Sequence, residues 1–232
     1  MAKLRKGDPR LAAPRAAIWF GVVGMAFTTI IGLAAVALSD ATQSTYAFNE
    51  WLHSMANPLC DHIAAILEEL DSIPVIAVIL LLGGIILTFW RGWMPALGFM
   101  VVTGLGWLLI AVIKEIVREE RPTPFDPEFA GHTPSYPSGH TVFAVTLTVA
   151  IWAVLKGSKW RAPLVVIGAA LTLATAWSRL YLGVHYPIDV IGGILGGISS
   201  AVLVIGFWNI LFARKKKAAP AVSNATSAES SS

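Results

Sequence analysis

Six long apolar runs separated by short polar segments set the pattern of this chain. They cover residues 16–38, 73–90, 95–113, 139–155, 162–180 and 190–212. A helix needs about 20 apolar residues to cross the roughly 30 Å hydrocarbon layer of a bilayer. Backbone N–H and C=O groups inside that layer must be satisfied within the segment, so each run is predicted as a transmembrane helix. The expected fold class is all-α, a polytopic membrane protein of six transmembrane helices. Glycines recur in the runs, as in Gly192-Gly193 and Gly196-Gly197, and predict close helix packing.

The long connection 39–72 contains no Lys or Arg. Phe48, Trp51, Leu52 and Met55 follow a helical period there. This spacing fits either an amphipathic helix in the membrane interface or a packed cap over the bundle. Ala35-Val36-Ala37 resembles a signal cleavage site behind a basic N-terminus. However, the first run is about 20 apolar residues, longer than the about 7–15 of a signal segment, so a retained helix is expected.

Composition agrees with lipid as the solvent. Only 13% of the residues are charged, against about 25% in ordinary soluble domains. Cys60 is the single cysteine, so neither an internal disulfide nor a cysteine-rich metal framework is available. The segments expected are a basic N-terminus at 1–15, a membrane domain at 16–212 and a tail at 213–232. The tail starts basic, turns to small polar residues and is expected to be disordered. Its Asn224-Ala225-Thr226 sequon is read as a chance match.

Charge then sets an orientation. Six helices put the N-terminus, the second and fourth connections and the C-terminus on one side. These segments hold 13 of the 17 basic residues, whereas the opposite side holds 12 of the 14 acids. Basic segments stay cytoplasmic, so both termini are expected inside the cell. The four basic residues on the other side are Lys114, Arg118, Arg121 and Arg179. Arg118, with acids at 115, 119 and 120, reads as part of an exposed charge run.

The remaining three converge, by topology, with two histidines. KEIVREERP ends the third run, YPSGH opens the fourth, and SRLYLGVHYPID lies between the fifth and sixth. Arg offers a planar fork and Lys a compact charge to a tetrahedral oxyanion. Ser138 suits a helix N-cap, and a helix N-terminus presents N–H groups to an anion. Gly139 lets the backbone come close. Asp189 falls in the first turn after Pro187 and reaches back to His185. A carboxylate on one ring nitrogen leaves the other free to attack, while His140 is placed to donate and later accept a proton. A metal held by His132, His140, His185 and Asp189 has the right ligand types, but three neighbouring cations oppose it. His53 and His62 have no partners at a telling spacing.

These residues resemble the three signature motifs of the type-2 phosphatidic acid phosphatase superfamily. The matches are Lys114 to Arg121-Pro122, then Pro137-Ser138-Gly139-His140, then Ser178-Arg179 to His185 to Asp189. The six-helix layout resembles the family's membrane branch. The resemblance implies His185 as nucleophile, Asp189 as its orienting carboxylate and His140 as proton donor. It implies Lys114, Arg121, Ser138, Gly139 and Arg179 as the phosphoryl-binding set, with no metal and no cofactor. A site at the ends of transmembrane helices meets a lipid headgroup. The expected partners are therefore the bilayer and a lipid phosphate or diphosphate, with no nucleic acid. By analogy with bacterial relatives the preferred substrate is undecaprenyl diphosphate, and phosphatidylglycerophosphate or phosphatidic acid is the alternative. A vanadate haloperoxidase fits the same pocket, but such relatives are typically soluble. A transporter fits less well, because the polar residues gather at one face and none lies at mid-helix. The expected location is the cell membrane, with the site on the extracytoplasmic side.

Overall fold

The computed structural model describes residues 9–69 and 72–213, and these residues are entirely helical or irregular. The helices are α1 (Ala17–Ala37), α2 (Ser39–Ser44), α3 (Tyr46–His53), α4 (Pro58–Glu68), α5 (Ile73–Arg91), α6 (Trp93–Val117), α7 (Gly139–Val154), α8 (Arg161–Tyr181) and α9 (Pro187–Ala213). Lys3, Arg5, Lys6 and the tail from Arg214, with its sequon, lie outside the described residues.

All six apolar runs form helices, because apolar length fixes where each can lie in lipid. Five of them, α1, α5, α6, α8 and α9, are long and apolar enough to cross a membrane. The fourth run gives α7, with 16 residues. At 1.5 Å per residue it extends about 24 Å, short of a full hydrocarbon layer. Helix α7 lies against α6, α8 and α9, so protein covers much of it. By contrast, α1 and α5 leave large apolar side chains such as Trp19, Phe20, Ile73 and Phe89 on the outer surface. That surface suits lipid and not water.

Small residues bring α1 and α9 together, as the glycine pattern predicts. A β-carbon at Gly24 would lie 2.1 Å from Ser199 Oγ, and one at Gly21 2.5 Å from Leu203 Cβ. With apolar lipid on the outside, such helices associate by close packing rather than by escape from water. Gly92, at φ 101°, joins α5 to α6 in a one-residue turn that a side chain would strain.

One end of the bundle is tied by the N-terminal segment. Leu11 N–H donates to Asn209 Oδ1 at 2.9 Å, and Asn209 Nδ2 donates to Leu11 O at 3.0 Å. Ala12 N–H donates to Ala153 O at 3.0 Å. The chain before α1 therefore lies beside the C-terminal ends of α7 and α9. Arg91 also donates to Lys156 O at this end, at 2.9 Å. The basic connections thus share one end, and the N-termini of α7 and α9 point to the other.

The connection 39–72 forms three helices, not one. In α3, Asn49 and Leu52 are buried whereas Phe48, Trp51 and nearby Met55 are exposed. The apolar period thus found a helix but not its inward face. Asn49 turns inward because it has a backbone carbonyl to hold, described below. Helices α3 and α4 pack against α8, and they keep an apolar outer row.

Candidate active site

The site forms at the bundle end opposite the basic connections. Its corner is the segment between α6 and α7, fixed by Tyr136. That ring is fully buried, and its hydroxyl donates to Thr28 O in α1 at 2.7 Å. It fits between Gly32 of α1 and Gly192 of α9. A β-carbon would meet ring carbons at 2.5 Å from Gly32 and 2.3 Å from Gly192. These glycines therefore let the corner sit against two membrane helices. The corner's other anchor is Ser138, whose N–H donates to Asp189 O at 3.0 Å.

His185 lies in the short connection between α8 and α9. Gly183, at φ 72°, makes the turn that brings it there, in a conformation that favours glycine. Asn49 Nδ2 donates to His185 O at 2.9 Å, so α3 holds the backbone of this residue. Tyr46 donates from the same helix to Thr123 O at 2.6 Å. Pro187 opens α9 and Asp189 falls in its first turn.

Asp189 is fully buried behind His185. Its Oδ2 accepts from His185 Nδ1 at 3.0 Å, from the Tyr186 N–H at 2.9 Å and from Ser135 Oγ at 2.5 Å. The proton on Nδ1 leaves Nε2 with its lone pair. Nε2 faces Arg121 Nη1 at 3.3 Å. Burial, with Arg121 and Lys114 adding to it against the pull of Asp189, pushes His185 down to about 3. The imidazole is therefore neutral near pH 7, as a nucleophile requires.

Nε2 faces a cavity of about 370 Å³, lined among others by Lys114, Arg121, Gly139, His140, Arg179 and His185. Arg121 is locked by Thr133 O at 2.7 Å and Val184 O at 3.2 Å. Lys114 Nζ donates to Pro134 O at 2.8 Å and Ser135 O at 3.1 Å. Arg179 is almost wholly buried and donates Nε and Nη2 to Ser178 Oγ, at 3.2 and 3.0 Å. Three cations from α6, the following loop and α8 thus converge on one small volume. Such fixed cations favour an oxyanion, since their orientation is set before it binds.

Ser138 departs from the expectation. It occupies the N-cap position of α7, yet its side chain makes no cap bond. Its Oγ accepts from Thr141 Oγ1 at 3.1 Å. The residue is fully buried because its backbone is fastened to Asp189, so the hydroxyl turns into the protein. Gly139 and His140, by contrast, reach the cavity wall. Arg118 pairs with Glu115 at 3.3 Å and both are exposed, as an exposed charge run predicts. His132 is exposed, and His53 stacks on Phe125 at 4.1 Å between ring centroids.

Three acceptors and donors here escaped the sequence reading. Ser135 enters the His185–Asp189 pair, Glu119 lies buried beside Asp189, and Glu68 closes the cavity from α4. Glu68 O accepts from His140 Nε2 at 2.7 Å, which places the His140 hydrogen on Nε2. The Glu68 carboxylate pairs with Arg179 Nη1. It therefore competes with any phosphoryl oxygen for that guanidinium. Glu68→Gln keeps the backbone contact to His140 and removes the competing charge. A part-exposed ion pair is worth on the order of 1 kcal/mol, so the KM for a lipid phosphate is expected to fall roughly three- to tenfold. An unchanged or raised KM in a steady-state assay would show that Glu68 does not compete.

Comparison with known proteins gives the family. The PAP2 superfamily profile matches residues 95–212, just over half of the 232-residue chain. Phosphatidylglycerophosphatase B of Bacillus subtilis (strain 168) is 28% identical over 187 residues, covering 78% of this chain and 92% of that protein. Undecaprenyl-diphosphatase BcrC of the same strain is 32% identical over 120 residues, covering 47% of this chain and 56% of that protein. The crystal structure of the transmembrane PAP2-type phosphatidylglycerolphosphate phosphatase from Bacillus subtilis superposes with a TM-score of 0.70. It shares 26% identity, over 82% of this chain and 96% of that one. With the profile spanning all three motifs and a transmembrane relative matching nearly end to end, this chain belongs to the PAP2 superfamily, as a multi-pass membrane phosphatase.

Proposed function

We propose that the protein hydrolyses a lipid phosphate or diphosphate through a phosphohistidine on His185, at the extracytoplasmic face of the cell membrane. The observation that carries this reading is the pairing of His185 with its surroundings. Nδ1 is held by a buried carboxylate, and Nε2 faces a cavity walled by Lys114, Arg121 and Arg179. Nε2 attacks phosphorus as the bond to the leaving oxygen breaks; His140, as the imidazolium beside the bound phosphoryl group, gives that oxygen its Nδ1 proton and keeps its Nε2 hydrogen on Glu68 O. Water then attacks the phosphohistidine with His140 taking a proton, the N–P bond breaks and phosphate leaves. Lys114, Arg121, Arg179 and the backbone at Gly139 hold the phosphoryl oxygens and offset their growing charge. Ser138, which the family resemblance adds to this set, supports the corner from behind. The chain's own groups supply each step, with neither metal nor cofactor in the scheme.

The orientation rests on charge. Six crossings, with α7 as the short one inside the bundle, put both termini in the cytoplasm beside the basic connections. The cavity then opens at the outer surface, where a lipid headgroup arrives while its chain stays in the bilayer. Undecaprenyl diphosphate, converted to the monophosphate, is the preferred substrate, supported by a relative named for that activity. Phosphatidylglycerophosphate is the second reading, favoured by the relative of that activity aligned over 78% of this chain. Phosphate release by detergent-purified protein in excess EDTA, with both lipids and phosphatidic acid in parallel, tests these readings. Faster release from undecaprenyl diphosphate is expected. Preference for a glycerophospholipid would transfer the assignment to the second reading, and dependence on added divalent metal would contradict the mechanism.

A further inference from the structure

Glu119 follows the left-handed Arg118 that ends α6. It lies 6% exposed against the catalytic pair. Both of its carboxylate oxygens are buried without a hydrogen-bond donor, and so is Asp189 Oδ1. The Glu119 and Asp189 carboxyls lie within hydrogen-bonding reach of each other. Two ionised carboxylates buried side by side would repel each other and leave three oxygens unsatisfied. A single proton between them removes the repulsion and satisfies an oxygen on each. The backbone of Glu119 adds a second link, since its carbonyl accepts from Ser135 N–H at 2.8 Å. Ser135 is the residue whose hydroxyl holds Asp189 Oδ2.

We propose that Glu119 is a positioning residue of the catalytic pair, donating a proton from its neutral carboxyl to Asp189 Oδ1 and so fixing the carboxylate that orients His185. This inference rests on the reading of His185 as nucleophile. With Oδ2 held by Ser135, Tyr186 and His185, Oδ1 is the remaining point at which the carboxylate can pivot. A donor there locks its plane onto Nδ1. Burial first, then the bond to Asp189 and its charge, raise Glu119 to about 9, against the opposing pull of Lys114. The charged and titratable groups around it are Lys114 on α6, Asp189 on α9 and His185 before α9. Tyr136 and Tyr186 face it as well, and Arg118, Glu120 and Arg121 are its chain neighbours. Burial raises both Tyr136 and Tyr186 above the ordinary tyrosine value, so Glu119 ionises before either.

The sign of the pH effect follows. Below about 9 the proton is in place, and above it a second buried negative charge faces Asp189. Wild-type turnover should therefore decline above about pH 9. Glu119→Gln keeps an N–H donor for Oδ1 at every pH, so it should hold near wild-type rate at pH 7 and lose the alkaline decline. Glu119→Ala removes the donor and should lose roughly 10- to 100-fold in kcat at pH 7 with KM little changed, the usual range for a supporting partner of a catalytic group.

The experiment is the kcat and KM pH profile of the three proteins on the faster lipid, with infrared spectra of each at neutral pH. The expected infrared result is a buried, protonated carboxyl band in the wild type that Glu119→Gln lacks. Absence of that band from the wild type would overturn the inference whatever the activity. So would an alkaline decline retained in Glu119→Gln, or equal losses in the Gln and Ala variants. His185→Ala in the same assay separates the two levels: turnover that survives it contradicts the nucleophile reading itself, while the infrared band still reports on Glu119.

Discussion

His185→Ala is expected to abolish phosphate release, with a loss of at least about 10⁴-fold in kcat, as for other removed nucleophiles. Among the described residues lining the cavity, His185 has Nδ1 on a buried carboxylate and Nε2 facing a cation. The residue is also structural in part, because its carbonyl accepts from Asn49. That contact uses the backbone and survives the substitution. The variant should therefore elute and melt like the wild type in detergent while releasing no phosphate. Turnover within tenfold of wild type would require a different nucleophile.

Asp189→Asn has the second largest expected effect. The carboxylate Oδ2 accepts from His185 Nδ1, Ser135 and the Tyr186 N–H. An amide nitrogen on that side would donate toward Nδ1 and favour the tautomer with its hydrogen on Nε2. The lone pair facing the cavity would be lost. In a comparable His–Asp pair such a swap costs about 10⁴-fold in kcat, and on the order of 10²- to 10⁴-fold is expected here. KM should change little, because Asp189 is buried behind His185 and does not line the cavity. A raised KM with unchanged kcat would mean that Asp189 acts on binding and not on the nucleophile.

Much of this arrangement is legible in the chain itself. The six runs predicted from apolar length coincide with helices to within a few residues, since lipid thickness and internal backbone bonding leave few alternatives. The proposed catalytic residues stand out because each breaks the apolar pattern at a helix end. What stays hidden depends on chain geometry at single residues. Glu119 looks like one more acid around Arg118, and in a continued helix it would stay beside Glu115. The left-handed turn at Arg118 ends α6 first, so Glu115 stays outside on Arg118 while Glu119 turns inward. Glu68 meets Arg179 across 111 residues, a distance over which neither spacing nor periodicity carries information. Ser138 has the right residue type for a cap, but its N–H is drawn to Asp189 and its hydroxyl finds Thr141 instead.

The connection 39–72 shows the same limit for a whole segment. Periodicity finds the helix at Tyr46–His53, but Asn49 occupies the inward face because His185 O needs a donor there. A polar residue facing inward to hold a loop carbonyl is invisible to an argument from hydrophobicity alone. The three helices of this connection therefore do more than cover the bundle: α3 holds the backbone of His185, and α4 places Glu68 against His140 and Arg179.

The most direct measurement is acid-sensitive phosphoenzyme trapping. Detergent-purified protein is mixed with lipid labelled on the terminal phosphate, in excess EDTA, and quenched under basic conditions within the first turnover. The account predicts a label that is stable to base, released by acid and mapped by peptide sequencing to His185, absent from His185→Ala. A single turnover that releases phosphate with no labelled histidine, or a label on any other residue, would contradict it.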